Sequence, residues 1–141
     1  MKVRIKRLHP NAVIPSYAKR GDAGMDLTAT TVDVDGIGNI VYGTGLAFEI
    51  PEGYVGLLFP RSSNSRTSLI LTNSVGVLDS GYRGEVMFKF KSISSIHEKY
   101  YEIGERIGQI IILPYPHIEF EESEELTKTD RGIGGYGSTG K

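Results

Sequence analysis

The chain has no cysteine and no tryptophan. Without thiols there can be no disulfide, no thiolate metal centre and no cysteine nucleophile. That absence fits a reducing compartment. No apolar run approaches the length of a membrane-spanning helix. The N-terminus, Met1-Lys2-Val3-Arg4-Ile5-Lys6, alternates charge with apolar residues, unlike a signal peptide. A cytoplasmic protein without a membrane partner is expected. The net charge is only −1, so there is no bulk attraction to nucleic acid. His9, His97 and His117 are scattered without ligand spacing, which argues against zinc. No segment holds a helical apolar period over three turns, so little helix is expected.

What remains is glycine, β-branched residues and turns. The chain carries 18 Gly in 141 residues, enough length for one domain with its own core. Val3 and Ile5 alternate with Lys2, Arg4 and Lys6, as in a half-exposed strand. Further strands are predicted at Thr30 to Val34, Ile40 to Tyr42, Leu46 to Ile50, Tyr54 to Phe59, Leu69 to Leu71, Val86 to Phe90, Tyr100 to Ile103, Ile107 to Leu113 and Pro116 to Glu121. Turn signals such as Gly36-Ile37-Gly38-Asn39 and Pro51-Glu52-Gly53 separate them. The expected class is all-β, a sandwich, jelly roll or small barrel. The stretch after Pro60 has room for one helical turn.

The end of the chain differs. Glu119 to Glu125 is acidic, and beyond Lys128 apolar content falls away. Residues 1–128 read as the folded domain and 129–141 as a flexible arm, because so little apolar surface cannot offset the entropy of ordering. The arm places Arg131, Ser138, Thr139, Lys141 and one aromatic, Tyr136, among five Gly. Those residue types on a pliant backbone suit phosphates. Gly135, Gly140 and Lys141 match a P-loop spacing, but that motif needs a preceding strand, a hydroxyl after the Lys and a following helix. The sequence stops at Lys141, so an NTPase loop is rejected.

Other patches suit the same ligand. Pro60-Arg61-Ser62-Ser63 closes an apolar strand with a guanidinium fork and two hydroxyls, which can hold phosphate oxygens. A polar loop with a capping Ser would read alike. Gln109 is a lone amide in Ile107 to Leu113, equally an outward strand residue or a ligand contact. Asp26, in Ala23-Gly24-Met25-Asp26-Leu27, cannot cage Mg²⁺ alone, but Mg²⁺ carried on substrate phosphates needs only one or two carboxylates. Asp79 follows Gly76-Val77-Leu78 and precedes a Ser80-Gly81 turn, with Tyr82, Gly84 and the strand Val86-Met87-Phe88-Lys89-Phe90 beyond. An Asp there commonly serves only the turn. Between two apolar strands of a hairpin, however, it would be partly desolvated and fit to act as a base. Together the patches point to attack by water on a small polyphosphate.

In this order and spacing, five segments resemble the five motifs of the trimeric dUTPases: Ala23 to Leu27, Pro60 to Ser63, Gly76 to Gly84, Gly104 to Gln109, and Arg131 to Gly140. The resemblance spans nearly the whole chain. It implies a jelly-roll-like β-clip, a distorted barrel, assembled as a homotrimer with active sites at subunit interfaces and another protomer's arm closing each one. It implies hydrolysis of dUTP to dUMP and pyrophosphate with Mg²⁺ on the triphosphate, which supplies dUMP for thymidylate and keeps uracil out of DNA. By the same resemblance Asp79 activates the water. Tyr82 packs on the deoxyribose, leaving no room for a 2′-OH. Asn73 and the backbone of Val77, Leu78 and Asp79 read uracil, with Met87 nearby. Arg61, Ser62, Ser63 and Gln109 hold phosphates, and Asp26 meets Mg²⁺ through water. Arg131 and the Gly137-Ser138-Thr139 backbone engage the outer phosphates, and Tyr136 stacks on the base.

Four positions depart from the family pattern. Tyr136 stands where Phe is frequent, and its ring area keeps the stacking. Ser63-Asn64 replaces Gly-Leu, leaving the following turn open to question. Gly108 replaces Ala, which is expected to loosen its strand. The dCTP deaminases resemble this chain in fold and third motif, but they use a Glu in the strand after the turn, and Val86 to Phe90 has no acid. A dUTP-sensing regulatory protein is the other alternative, and the intact set Asp79, Gln109 and Arg131 favours retained catalysis.

Overall fold

The computed structural model describes residues 1–94 and 100–135. Strands dominate: β1 (Arg4–Arg7), β2 (Met25–Thr28), β3 (Thr31–Val34), β4 (Ile40–Gly43), β5 (Leu46–Glu49), β6 (Tyr54–Phe59), β7 (Leu69–Leu71), β8 (Gly76–Leu78), β9 (Met87–Ser92) and β10 (Arg106–Pro114). A single 3-10 turn, Ser62–Arg66, follows β6. Eight of the ten predicted strands are present, with bounds shifted by a residue or two.

Two four-stranded antiparallel sheets carry the fold. One runs β2-β10-β6-β8 and the other β3-β4-β9-β7, with β1 and β5 as a separate pair. Alternation decides what each strand buries. Along β9, Phe88 and Phe90 face inward while Met87 and Lys89 face out. Leu27, Ile107, Ile110, Leu58 and Leu78 from the first sheet meet Tyr42, Phe88, Phe90, Leu69 and Leu71 from the second in one core. Each such side chain contributes about 1.5–3 kcal/mol on burial. Tyr42 and Phe90 meet edge-on with centroids 6.0 Å apart. The arrangement is jelly-roll-like. Among the described residues the sheets keep their edges, so it is not a closed barrel.

Successive strands alternate between the sheets: β6 and β8 lie in one, β7 and β9 in the other. The segment around Asp79 is therefore not the expected hairpin. It carries the chain from β8 to β9, across the gap between sheets. Two predicted strands are also absent. Over 100–103 the chain turns inward instead, and Tyr101 packs against Phe90 at 5.7 Å while its carbonyl accepts from Tyr42 Oη at 3.0 Å. Gly104, at φ +91, then reverses the chain into β10. Over 116–121 there is no ladder partner among the described residues, and Phe120 is 96% exposed.

Candidate active site

The phosphate-binding candidates converge on one corner. Asp26 on β2 stands directly opposite Gln109 on β10 in the ladder, so both project from the same face. Arg61 follows β6, the other neighbour of β10. Its Nε donates to Asp26 Oδ1 at 2.8 Å, and its Nη1 donates to Ser63 Oγ at 3.3 Å. Gln109 Nε2 donates to Pro60 O at 3.1 Å, so its amide is partnered and still faces the cavity. Asp22, Gly24, Asp26, Arg61, Ser62 and Gln109 line a cavity of about 400 Å³. A Cβ at Gly24 would lie 2.3 Å from Gln109 Oε1, so a larger residue there would push that amide aside.

The turn that carries Arg61, Ser62 and Ser63 is settled by Asn64. Its amide donates to Leu69 O at 2.7 Å, and its Oδ1 accepts from Tyr101 Oη at 3.0 Å. Thr67 N also donates to Asn64 O. Burial pushes the Tyr101 hydroxyl above its ordinary 10.0, partly countered by the nearby Arg61 charge, so it stays a donor. The departure from the family pattern thus strengthens the turn. Arg61 is the N-cap of this turn and makes no side-chain cap hydrogen bond, so the expected capping Ser is not what starts it.

Gly108 does not loosen its strand either. A Cβ at that position would lie 2.2 Å from Phe88 Cε1. The Phe88 ring reaches across from the opposite sheet and fills the room an alanine would need.

The base and sugar candidates form a second group. Asn73, Val77, Leu78, Tyr82, Met87 and Lys89 line a groove of about 310 Å³. Leu78 is 6% exposed and Val77 65%, so Leu78 can offer only its backbone to a ligand. Ser74, beside Asn73, has φ +60, a left-handed bend that swings the chain from β7 to β8. Tyr82 folds back over Gly84, where a Cβ would meet its hydroxyl oxygen, and that hydroxyl donates to Glu85 O at 3.1 Å. Arg83 Nη1 clamps the turn through Ser80 O and Tyr82 O.

Asp79 tops that turn, and its carbonyl accepts from Tyr82 N at 3.1 Å. Its side chain is exposed, not desolvated as expected. The reason is the switch between sheets: no second strand of a hairpin lies against it. Arg131 donates from Nε to Gly134 O within its own turn, at 3.0 Å. Tyr136, Gly137, Ser138, Thr139 and His97 lie outside the described residues.

A family model for dUTPase matches residues 10–140. The chain belongs to the dUTPase family. It is 42% identical over 141 residues to the deoxyuridine 5′-triphosphate nucleotidohydrolase of Corynebacterium glutamicum, covering 99% of this chain and 95% of that protein. The enzyme of the same name from Corynebacterium diphtheriae is 39% identical, covering 98% and 92%. The dUTPase of Staphylococcus bacteriophage 80alpha, solved with dUPNHPP, superposes with a TM-score of 0.82 at 30% identity, covering 99% of this chain and 98% of that one. A mutant dUTPase from phage phi11 of S. aureus superposes at 0.75 with 26% identity and covers 89% and 98%; its structure describes a structural Mg(II) ion. A member of this family is an enzyme, a nucleotide hydrolase.

The family's residues sit here with more company than motif reading supplies. Arg106 Nη1 donates to Asp26 Oδ2 at 3.1 Å, so both carboxylate oxygens are engaged by guanidinium groups. Glu85 Oε1 accepts from Gly45 N at 2.7 Å and pins the turn to the start of β5. Neither role was legible in a motif. Among the described residues no group of three acidic or histidine side chains could hold a metal ion. With both oxygens already accepting from guanidinium groups, Asp26 is not a free ligand for direct Mg²⁺ coordination.

Proposed function

We propose that this dUTPase-family chain hydrolyses dUTP to dUMP and pyrophosphate. The observation that carries the reading is the phosphate corner, where Asp26, Arg61, Ser62 and Gln109 meet around one cavity. Arg61, Ser62, Ser63 and Gln109 hold the phosphates. Asp26 would be the residue nearest a Mg²⁺ carried on the triphosphate, and the ion would neutralise phosphate charge. Asp79 orients a water and takes its proton as the water oxygen bonds to the α-phosphorus. The bond to the bridging oxygen breaks, and pyrophosphate leaves with the electron pair.

Asn73 and the backbone of Val77 to Asp79 read uracil, beside Met87. A close backbone pocket rejects the thymine methyl sterically, and cytosine leaves buried polar groups unpaired. Tyr82, fixed over Gly84, bars a 2′-OH. Arg131 and the Gly137, Ser138 and Thr139 backbone close on the outer phosphates while Tyr136 stacks on the base. The product dUMP serves thymidylate synthesis, and removing dUTP keeps uracil out of DNA.

The working unit is a homotrimer with shared sites. Two observations support association. The phosphate and base candidates line different cavities within one chain. Among the described residues the outer edge of β1 has no ladder partner, with Lys2, Arg4 and Lys6 exposed beside it, while Glu119 and Glu121 alternate with exposed Ile118 and Phe120. Among the described residues no helix is long and apolar enough to cross a membrane. Against deamination, β9 offers no acid, and the Glu85 carboxylate is occupied by Gly45 N.

Pyrophosphate release measured on dUTP, dTTP, dCTP and UTP with Mg²⁺ tests the reading. Strong preference for dUTP over all three is expected. Ammonia release from dCTP would favour the deaminase, and tight dUTP binding without turnover a sensor.

A further inference from the structure

The ladder between β2 and β10 contains a bulge. Gly108, Gln109 and Ile110 pair with Leu27, Asp26 and Met25, yet Arg106 already pairs with Thr28. One residue, Ile107, is extra on β10. Its consequence is a change of face. Asp26 and Thr28 are two apart, so they share a face of β2. Gln109 and Arg106 are three apart and would face opposite ways on a regular strand. The bulge resets the alternation and turns Arg106 outward, onto the face that carries Gln109 and Asp26. Ile107 and Gly108 take the inward positions together.

Once there, Arg106 reaches Asp26. Its Nη1 lies 3.1 Å from Oδ2, while Oδ1 is 2.8 Å from Arg61 Nε. Asp26 and Arg61 are each about a quarter exposed, and Arg106 more than half. We propose that Arg106 is a positioning residue for the phosphate site, acting through Asp26 on Arg61. A carboxylate with one cationic partner can rotate about its side-chain torsions. Held at both oxygens, Asp26 presents a fixed acceptor to Arg61 Nε. Anchoring Nε sets the plane of that guanidinium, so its remaining N–H groups are arranged before a phosphate arrives. Arg61 then loses less side-chain freedom on binding. Arg106 itself need not touch the substrate.

The inference rests on the dUTP-hydrolysing reading, and the test separates the two. Calorimetric binding of the α,β-imido analogue of dUTP is measured beside steady-state hydrolysis, with thermal melts to confirm folding. Arg106→Ala is expected to weaken analogue binding and raise KM by about tenfold, with kcat within about twofold. Arg106→Lys should recover part of this, because an ammonium supplies charge without the planar fork. The deciding arm is Arg61→Ala. If Arg106 acts through Arg61, adding Arg106→Ala to that background costs less than about twofold more. Equal losses in both backgrounds, or a fall in kcat alone, would overturn the proposal. A wild-type chain that binds and hydrolyses dUTP while Arg106→Ala matches it sinks the proposal alone. A wild-type chain that binds no analogue takes the functional reading with it.

Discussion

The phosphate corner and the base groove are built differently. In the corner the side chains tie to one another: Arg61 to Asp26 and Ser63, Arg106 to Asp26, Gln109 to Pro60. In the groove the chain braces its backbone instead, through Arg83, Glu85 and the Tyr82 hydroxyl, and leaves Asn73, Val77, Asp79 and Met87 exposed. A charged ligand needs donors whose direction is set beforehand, because reorienting them in water is costly. A flat base and sugar need shape, which a rigid turn and a covering surface supply. Within this chain the corner's donors are tied to one another, while the groove's lining stays exposed.

The largest expected effect tests the open half. Asp79→Asn keeps the turn, whose hydrogen bonds use the backbone, and removes the base. Analogue binding should stay within about threefold while kcat falls by about 10³-fold or more. Near-normal hydrolysis would end the assignment of Asp79. Next comes removal of residues 131–141. If the arm closes the site, activity should drop about a hundredfold, because positioning and water exclusion are lost. Light scattering should still give three times the mass of the shortened chain. A monomer would mean that the arm holds the assembly together.

Much of this was legible in the sequence, for an identifiable reason. Asp26, Arg61, Gln109 and Asp79 are polar or charged residues in apolar or Gly-rich surroundings, and such contrasts survive without coordinates. Strand alternation gave β9 its inward Phe88 and Phe90. What failed depends on contacts distant in sequence. That β8 pairs with β6 and β9 with β4 is a non-local choice, so a turn between them reads as a hairpin. The supposed dryness of Asp79 rested on that hairpin. Tyr100 to Ile103 has strand composition, but Tyr101 is needed as a plug against Tyr42 and Phe90. Gly108 looked like a loss until Phe88 was seen filling the gap.

That gap offers a third test, aimed at the rigid half. Gly108→Ala drives a methyl into the Phe88 ring, which is 1% exposed and cannot swing away. Overpacking of this kind costs about 1–3 kcal/mol. The shift should also reach Gln109, next along β10, and raise KM. Pairing it with Phe88→Val frees the space, so the double variant should be more stable than Gly108→Ala alone. Simple additivity of the two losses in thermal or urea melts would show that the ring and the glycine are not coupled.

The smallest effect concerns a brace at the rim of the groove. Asp35, in the turn between β3 and β4, accepts from Asn39 N at 2.9 Å, Asn39 Nδ2 at 3.0 Å and Lys89 Nζ at 3.2 Å. Lys89 lines the groove, so the turn holds one of its walls. The Asn39 side chain, then its backbone N–H, with lesser help from Lys89, hold the Asp35 carboxyl well below its ordinary 3.8. A depressed folded value means that the stabilisation is complete above 3.8 and is lost as pH falls below it, toward the folded value. Asp35→Asn removes the charge but keeps the shape. It should melt slightly below wild type at neutral pH, and the two curves should converge in strong acid, where wild type is protonated too. A gap of constant size across that range would show that the carboxylate's charge does not hold the wall in place.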